Sequence, residues 1–248
     1  NAAWREATLG TVEEKRAKLA NSEFRRVVRA EYDAGTPTRD FIFGELHKYV
    51  AIKINRADLR ERYLGLSVGD IAKRENKHVI DAILDISVAD NLESEWLGPV
   101  VNSDPRVHGE MLSSPASIPG VSDGGAHIKF LTLGVYPTDM LSWLVRDTGT
   151  LTLEEAHFRL STLPAHAAQF KDRGTLREGL AADIVVYDFN NLKALPTEIA
   201  YDLPAGEWRR VQKAQGYRWI MVNGGVTFED GKCTGAVPGK LLRSGRSA

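Results

Sequence analysis

Asp123 closes a short apolar run, Ile118-Pro-Gly-Val-Ser-Asp123, and is followed at once by Gly124 and Gly125, then by His127 and Lys129. A carboxylate at the end of a strand is placed for proton chemistry. It can hold a metal-bound water by hydrogen bonding or by coordination, take the proton as that water attacks a carbonyl, and hand it to a departing nitrogen. Two glycines behind it let the backbone turn sharply and leave room for a substrate. His127 can face the same mouth as a neutral imidazole that binds metal or substrate. Lys129 and Arg146 are cations suited to a substrate carboxylate. Each of these residues also has an everyday use: Ser-Asp-Gly-Gly is a common turn, a lone loop histidine commonly serves structure, and lysine and arginine are ordinarily solvated.

Other chemistries find no support. Ser122 is adjacent to Asp123, so on a strand their side chains point to opposite faces, and no Gly-x-Ser-x-Gly elbow surrounds it. The glycines at 65, 69 and 98 make no phosphate-binding fingerprint, and no Gly-x-x-x-x-Gly-Lys-Ser/Thr segment exists. Asp172-Arg173-Gly174 and Asp183 read as ion pairing and turn formation. Trp208, Tyr217 and Trp219 read as core or interface aromatics.

The elements that must position Asp123 follow from caps and periodicity. Thr11-Val-Glu-Glu14 has the form of a capping box and predicts a charged helix. Asn21-Ser22 restarts a helix carrying Phe24, Val27 and Val28 on one face, and Gly35 with Pro37 stops it. Phe41-Ile-Phe43 and Tyr49–Ile54 read as strand; Ser67–Asp70 and Val79–Ala89 read as helices. Trp96–Asn102 is a strand candidate, Asp104-Pro105 starts a helix, and Ile118–Asp123 is the next strand. Thr152-Leu-Glu-Glu155 is a second capping box, opening a helix to about Ser161. Beyond Gly174 the texture becomes short strands, Ile184–Tyr187, Tyr217–Val222 and Val226–Phe228, parted by Asn223-Gly224-Gly225 and Asp230-Gly231. Strands alternating with helices predict an α/β barrel or doubly wound sheet, and the boundary with a small β domain falls near 170 to 179.

The motifs Gly120-Val-Ser-Asp-Gly-Gly-Ala-His127, Lys171-Asp-Arg-Gly-Thr-Leu-Arg-Glu-Gly179 and Ala182-Asp-Ile-Val-Val-Tyr-Asp188 give the run Val121–Arg243 a resemblance to the C-terminal part of the amidohydrolase superfamily, closest to the D-aminoacylase (N-acyl-D-amino-acid deacylase) branch. The resemblance implies the later part of a (β/α)8 TIM-type barrel over 1–170 and part of a small β-sandwich over 171–248. It implies Asp123 as catalytic residue and metal ligand, with His127, Gly124, Gly125 and Lys129 against substrate. It also implies one or two divalent ions, zinc being the expected metal. Members carry a His-x-His pair, a bridging ligand and two further histidines before the final Asp. Here His47, His78, His108, His127, His157 and His166 stand singly. Most metal ligands are therefore expected from an N-terminal portion of the same enzyme, which would also complete the β-sandwich.

Hydrophobic residues make up 43% of the 248 residues, enough for a substantial core. With 32 basic and 33 acidic residues the net charge is −1, which predicts no nucleic-acid partner and no attraction to an anionic membrane. No stretch reaches the roughly 18 apolar residues that a membrane span needs. The single cysteine, Cys233, allows no internal disulfide, and a cytoplasmic homo-oligomer is expected. The expected activity is metal-dependent hydrolysis of a carbon–nitrogen bond in a small amide such as an N-acyl amino acid. The alternatives are a cyclic amide as substrate, since such barrels change substrate through their loops, or a non-catalytic subunit of the same shape.

Overall fold

The computed structural model describes residues 2–35, 45–99, 103–120, 122, 124–126, 128–129, 132 and 134–244. The chain divides into two compact units, Asn1–Val101 and Asn102–Ala248, so its compact division falls well before the expected barrel boundary near 170. The expected strand at Phe41–Phe43 lies outside the described residues.

In the first unit, α1 (Ala2–Ala7), α2 (Val12–Ala20) and α3 (Ser22–Asp33) precede β1 (Val50–Lys53). Helices α4 (Ala57–Tyr63), α5 (Val68–Glu75) and α6 (Val79–Ala89) then lead to β2 (Glu95–Leu97). The capping box of α2 is complete: Thr11 Oγ1 accepts from Glu14 N at 3.2 Å and Thr11 N donates to Glu14 Oε2 at 2.8 Å. Asn21 caps α3 and Ser67 caps α5, as their residue types predict. Helix α6 buries Ile80, Ile83, Leu84 and Ile86 against Val28 of α3 and Val68 and Ile71 of α5. Ion pairs reinforce this packing, with Arg29 NH1 of α3 at 2.7 Å from Asp81 Oδ2 of α6 and Arg25 NH1 at 2.5 Å from Asp85 Oδ1. Buried Asp90 accepts from the backbone N–H groups of Asn55 and Arg56 at 3.1 and 2.6 Å, which fixes the chain where it enters α4.

The second unit opens with α7 (Pro105–Ser113), capped by Asp104 as its Asp-Pro pair predicts. Helix α8 begins at Tyr136–Asp139 and widens to π geometry over Met140–Asp147. Helix α9 runs through Leu153–His157, a π segment Phe158–Thr162, and Leu163–Ala167. It therefore extends six residues past the expected end at Ser161. The widened turn precedes Pro164, whose ring and missing N–H disfavour regular helical bonding. Its capping box is only half made. Thr152 accepts from Glu155 N at 3.1 Å, but the Glu155 carboxylate accepts from Arg159 Nε at 3.1 Å and Ser113 Oγ at 3.2 Å, away from the cap.

Four strands form one sheet in the order β3 (Ile184–Tyr187), β6 (Tyr217–Val222), β7 (Gly225–Glu229), β8 (Lys232–Cys233). A separate ribbon pairs β4 (Lys193–Ala200) with β5 (Arg209–Gln215), and neither strand is evident in the sequence. Strand β4 carries Pro196, which cannot donate to a ladder, and the register shifts between Ala194 and Thr197, so the proline sits where the ladder is interrupted. Strand β5, Arg-Arg-Val-Gln-Lys-Ala-Gln, has little β-forming character of its own. The β6–β7 and β7–β8 turns take positive φ at both central residues, 47° and 80° at Asn223-Gly224 and 45° and 75° at Asp230-Gly231, as tight hairpins require. Trp219 is 41% exposed, against the expectation of burial, and Val185 and Phe228 on the same sheet are exposed as well.

Helices and sheets are thus mixed, and every strand pairing among the described residues is antiparallel. The expected strand at Ile118–Asp123 is not seen at its described positions: Ile118, Pro119, Gly120 and Ser122 are irregular, Pro119 having no N–H to give a ladder. The strand at Trp96–Asn102 is shortened to Glu95–Leu97; Gly98 and Pro99 are irregular, and 100–102 lie outside the described residues. No helix among the described residues is long and apolar enough to cross a membrane.

The α6 core yields a direct test. Ile80, fully buried, should cost about 2–5 kcal/mol on replacement by alanine. Exposed Leu64 should cost within about 0.5 kcal/mol. Denaturant titration of the two variants checks the contrast.

Candidate active-site loop

The segment that carries Asp123 has no regular structure at its described positions between 114 and 134, so its backbone polar groups must find partners elsewhere. Asp123 and His127 themselves lie outside the described residues. The residues beside them are held closely. Gly124 N donates to Ser122 Oγ at 3.1 Å, linking the two neighbours of position 123. Arg210 N on β5 donates to Ile128 O at 2.8 Å, and Arg210 Nε donates to Lys129 O at 2.9 Å. Thr132 Oγ1 donates to Gln212 Oε1, also on β5, at 2.6 Å. Gly125, Ile128, Thr132 and Gly134 on the loop and Arg209 to Gln212 on the strand border a hollow of about 300 Å³.

Lys129 is exposed, as expected of a surface lysine, and its charge is paired. Its Nζ pairs with the Glu207 carboxylate and lies 5.2 Å from the centre of the Trp208 ring. The hydrogen bond from Lys129 holds the Glu207 carboxyl below the usual glutamate range. Arg146 is committed too. Its NH1 donates to Phe189 O at 3.1 Å and Leu192 O at 2.6 Å, and its Nε pairs with Asp147 at 2.7 Å, so it anchors α8 to the turn before β4.

Four of the single histidines have structural partners. His78 Nδ1 accepts from Ile80 N at 3.1 Å and caps α6, while its Nε2 lies 3.0 Å from Asp33 Oδ1. His47 Nδ1 is 3.3 Å from Tyr32 Oη, His108 stacks edge-on against Trp143, and His157 Nε2 is 2.7 Å from Tyr187 Oη. Among the described residues, no three His, Cys, Asp or Glu side chains come together to hold a metal. The described residues by themselves do not make a metal site.

A larger hollow of about 700 Å³ borders Thr162, His166, Arg173 and Arg177. It has no carboxylate in its wall, so its size alone does not place the chemistry there. Arg173 is a structural hub, as its sequence context predicts. Its side chain is 7% exposed; it pairs with Asp183, and NH2 donates to Asn223 Oδ1 at 2.7 Å. Thr162 Oγ1 of α9 donates to Gly174 O at 2.7 Å, and a Cβ at Gly174 would lie 2.8 Å from Ser161 O, so the chain passes the helix at a distance only glycine permits.

Residues 3–228 match the amidohydrolase family, and the chain belongs to it. The chain is similar to an uncharacterized protein of Mycobacterium tuberculosis, 30% identical over 181 residues, covering 70% of this chain and 28% of the relative. It is also similar to the N-acyl-D-aspartate deacylase of Alcaligenes xylosoxydans xylosoxydans, 34% identical over 109 residues, 44% of this chain and 20% of that enzyme. The chain thus matches less than a third of the length of these curated relatives. Among solved structures, the N-acyl-D-glutamate deacylase of Bordetella bronchiseptica, complexed with zinc and a phosphonate inhibitor, aligns with a TM-score of 0.40 at 23% identity over 81% of this chain and 38% of that one.

No sequence signal pointed to Thr132, Arg210 or Gln212: the strand is polar and lies about eighty residues beyond the loop it holds. The Arg173 hub has a pH signature. Burial pushes the Asp183 carboxyl up, but Asn223 N–H and Arg173 together outweigh it, and its pKa falls below the ordinary aspartate value. The contribution of Asp183 is therefore complete above the unfolded-state value and drains as pH falls through the folded one. Asp183→Asn should lower stability at neutral pH and flatten its acid-side decline. Thermal unfolding between about pH 7 and about pH 3 checks this, and unchanged slopes would contradict it.

Proposed function

We propose that the full-length protein carrying this sequence is a metal-dependent amidohydrolase that cleaves the carbon–nitrogen bond of a small amide, an N-acyl amino acid being the substrate class favoured. The observation that carries this reading is the family match across residues 3–228, which includes Ser122-Asp-Gly-Gly125. Similarity to an N-acyl-D-aspartate deacylase and an N-acyl-D-glutamate deacylase supports the choice of substrate. In this reading 1–170 supplies later strands of a (β/α)8 barrel and 171–248 part of a β-sandwich.

Asp123 is the proton shuttle. Its carboxylate takes a proton from water as the oxygen adds to the amide carbonyl, and then delivers it to the nitrogen as the carbon–nitrogen bond breaks, leaving a carboxylic acid and an amine. A bound zinc ion would supply Lewis acidity toward the water and carbonyl, with ligands drawn mostly from outside this chain. Gly124 and Gly125 keep the mouth open beside the carboxylate. His127 and Lys129 stand on the same loop as substrate contacts, Lys129 sharing its charge with Glu207.

Asp123→Asn keeps size and polarity but cannot accept a proton, so turnover in the full-length protein should fall by roughly a hundredfold to ten-thousandfold while the fold persists. Steady-state kinetics on a panel of N-acetyl amino acids of both enantiomers, beside thermal unfolding, measures this. Near-wild-type rates would remove Asp123 from the mechanism.

A chelator should inactivate the same preparation, and added zinc should restore it, because no serine or cysteine nucleophile is proposed. Elemental analysis accompanies the assay. Full activity in a preparation containing no divalent metal would overturn the reading.

A further inference from the structure

We propose that Gln212 and Arg210 of β5 are positioning residues for Asp123, acting through the loop residues 128 to 132 that follow it in sequence; this rests on the hydrolase reading above. The loop has no helix or strand of its own at its described positions from 122 to 134, so whatever order it has comes from docking. Three hydrogen bonds from one strand supply that docking, at two places. The Arg210 backbone N donates to Ile128 O at 2.8 Å, its side-chain Nε donates to Lys129 O at 2.9 Å, and Gln212 Oε1 accepts from the Thr132 hydroxyl at 2.6 Å.

The second grip reaches back to Gly124, the residue after Asp123 in sequence. Thr132 lies against Gly124: a Cβ on that glycine would stand 3.5 Å from Thr132 O and 2.9 Å from Ser122 Oγ. The return stretch of the loop is therefore the wall on which the residue after Asp123 rests. Gln212 is itself fixed, because its Nε2 donates to Leu195 O of β4 at 2.9 Å, which leaves Oε1 to face Thr132. Both ends of the amide are used, so the side chain has one orientation that satisfies them. On the other side, Lys129 is drawn toward Glu207 and Trp208, which flank the start of β5. The strand and the residues just before it thus hold the loop from 128 to 132.

A proton shuttle is sensitive to such support, since a misplacement of about 1 Å can cost on the order of a hundredfold in rate. Substrate binding energy spread over other contacts is less affected. The inference therefore predicts a loss concentrated in kcat.

The experiment uses the full-length protein. Gln212→Ala and Arg210→Ala should each lower kcat by about tenfold or more with KM changed less than about threefold. Thr132→Val, which removes the hydroxyl while keeping the shape, should match Gln212→Ala, the double variant should lose little more than either, and Thr132→Ser should recover most of the rate. Hydrogen exchange gives a readout independent of turnover: amides from 124 to 132 should exchange faster in Gln212→Ala while those of β3, β6 and β7 keep wild-type protection and the unfolding temperature holds. Unchanged kcat and unchanged exchange in the loop, with Asp123→Asn inactive, would overturn the positioning role and leave the hydrolase reading intact. If Asp123→Asn stays active, the hydrolase reading fails instead, and faster exchange in the loop would then show docking without catalytic purpose, which also overturns the inference. A drop in unfolding temperature and protection across the whole unit would mark Gln212 and Arg210 as general stabilisers and overturn it as well.

Discussion

The second unit is organised around one buried guanidinium. Arg173 lies beyond the end of α9, and two of its partners come from elsewhere, Asp183 from the start of β3 and Asn223 from the β6–β7 turn. Burying a guanidinium is costly unless it is paired, and these two partners meet its NH1 and NH2, while the buried Nε makes no hydrogen bond among the described residues and lies 4.0 Å from Asp172 Oδ1. The convergence is reinforced by backbone bonds: Asn223 N donates to Asp183 Oδ1 at 2.8 Å and Gly224 N to Ala182 O at 2.9 Å. The helix end and the sheet are thereby pinned together. Strand β5 leads into β6 through Gly216, whose φ of 102° and close approach to Leu192 exclude a side chain.

That placement matters because β5 is the strand on which the Asp123 loop leans. A segment rich in glycine, with irregular backbone, has no internal ladder to order it. It is held in place where another element answers its carbonyls and hydroxyls. The β4–β5 ribbon does so with side chains that do not look functional in isolation: an arginine spent on the Lys129 carbonyl and a glutamine shared between Leu195 and Thr132. The polar character that hid β5 from a pattern of β-formers is the property that makes it useful here.

The histidines show the complementary case. In a metal hydrolase an isolated histidine invites a ligand reading, yet His78 caps a helix, His47 and His157 meet tyrosine hydroxyls, and His108 packs on Trp143. Imidazole is an acceptor, a donor and a flat partly apolar ring, and tertiary context chooses among these uses. Family membership brings the expectation of metal chemistry, while these four histidines serve a cap, hydrogen bonds and packing.

The sequence by itself determined what is local. The caps at Thr11, Asn21, Ser67, Asp104 and Thr152, the apolar run of α6, and the Asn-Gly and Asp-Gly hairpins are legible because the interactions that form them lie within a few residues of one another. The motif around Asp123 and its family resemblance were equally readable, being written in consecutive residues. Tertiary structure decided the rest. It diverted Glu155 from its capping box to Arg159 and Ser113, placed Pro196 at a break in the β4–β5 ladder, and left Trp219 exposed on its sheet. It also joined Gln212 to Thr132 and Arg210 to Lys129 across about eighty residues of chain. No periodicity or spacing carries such pairings, because each side chain is compatible with many partners and only the folded backbone brings one of them within hydrogen-bonding distance.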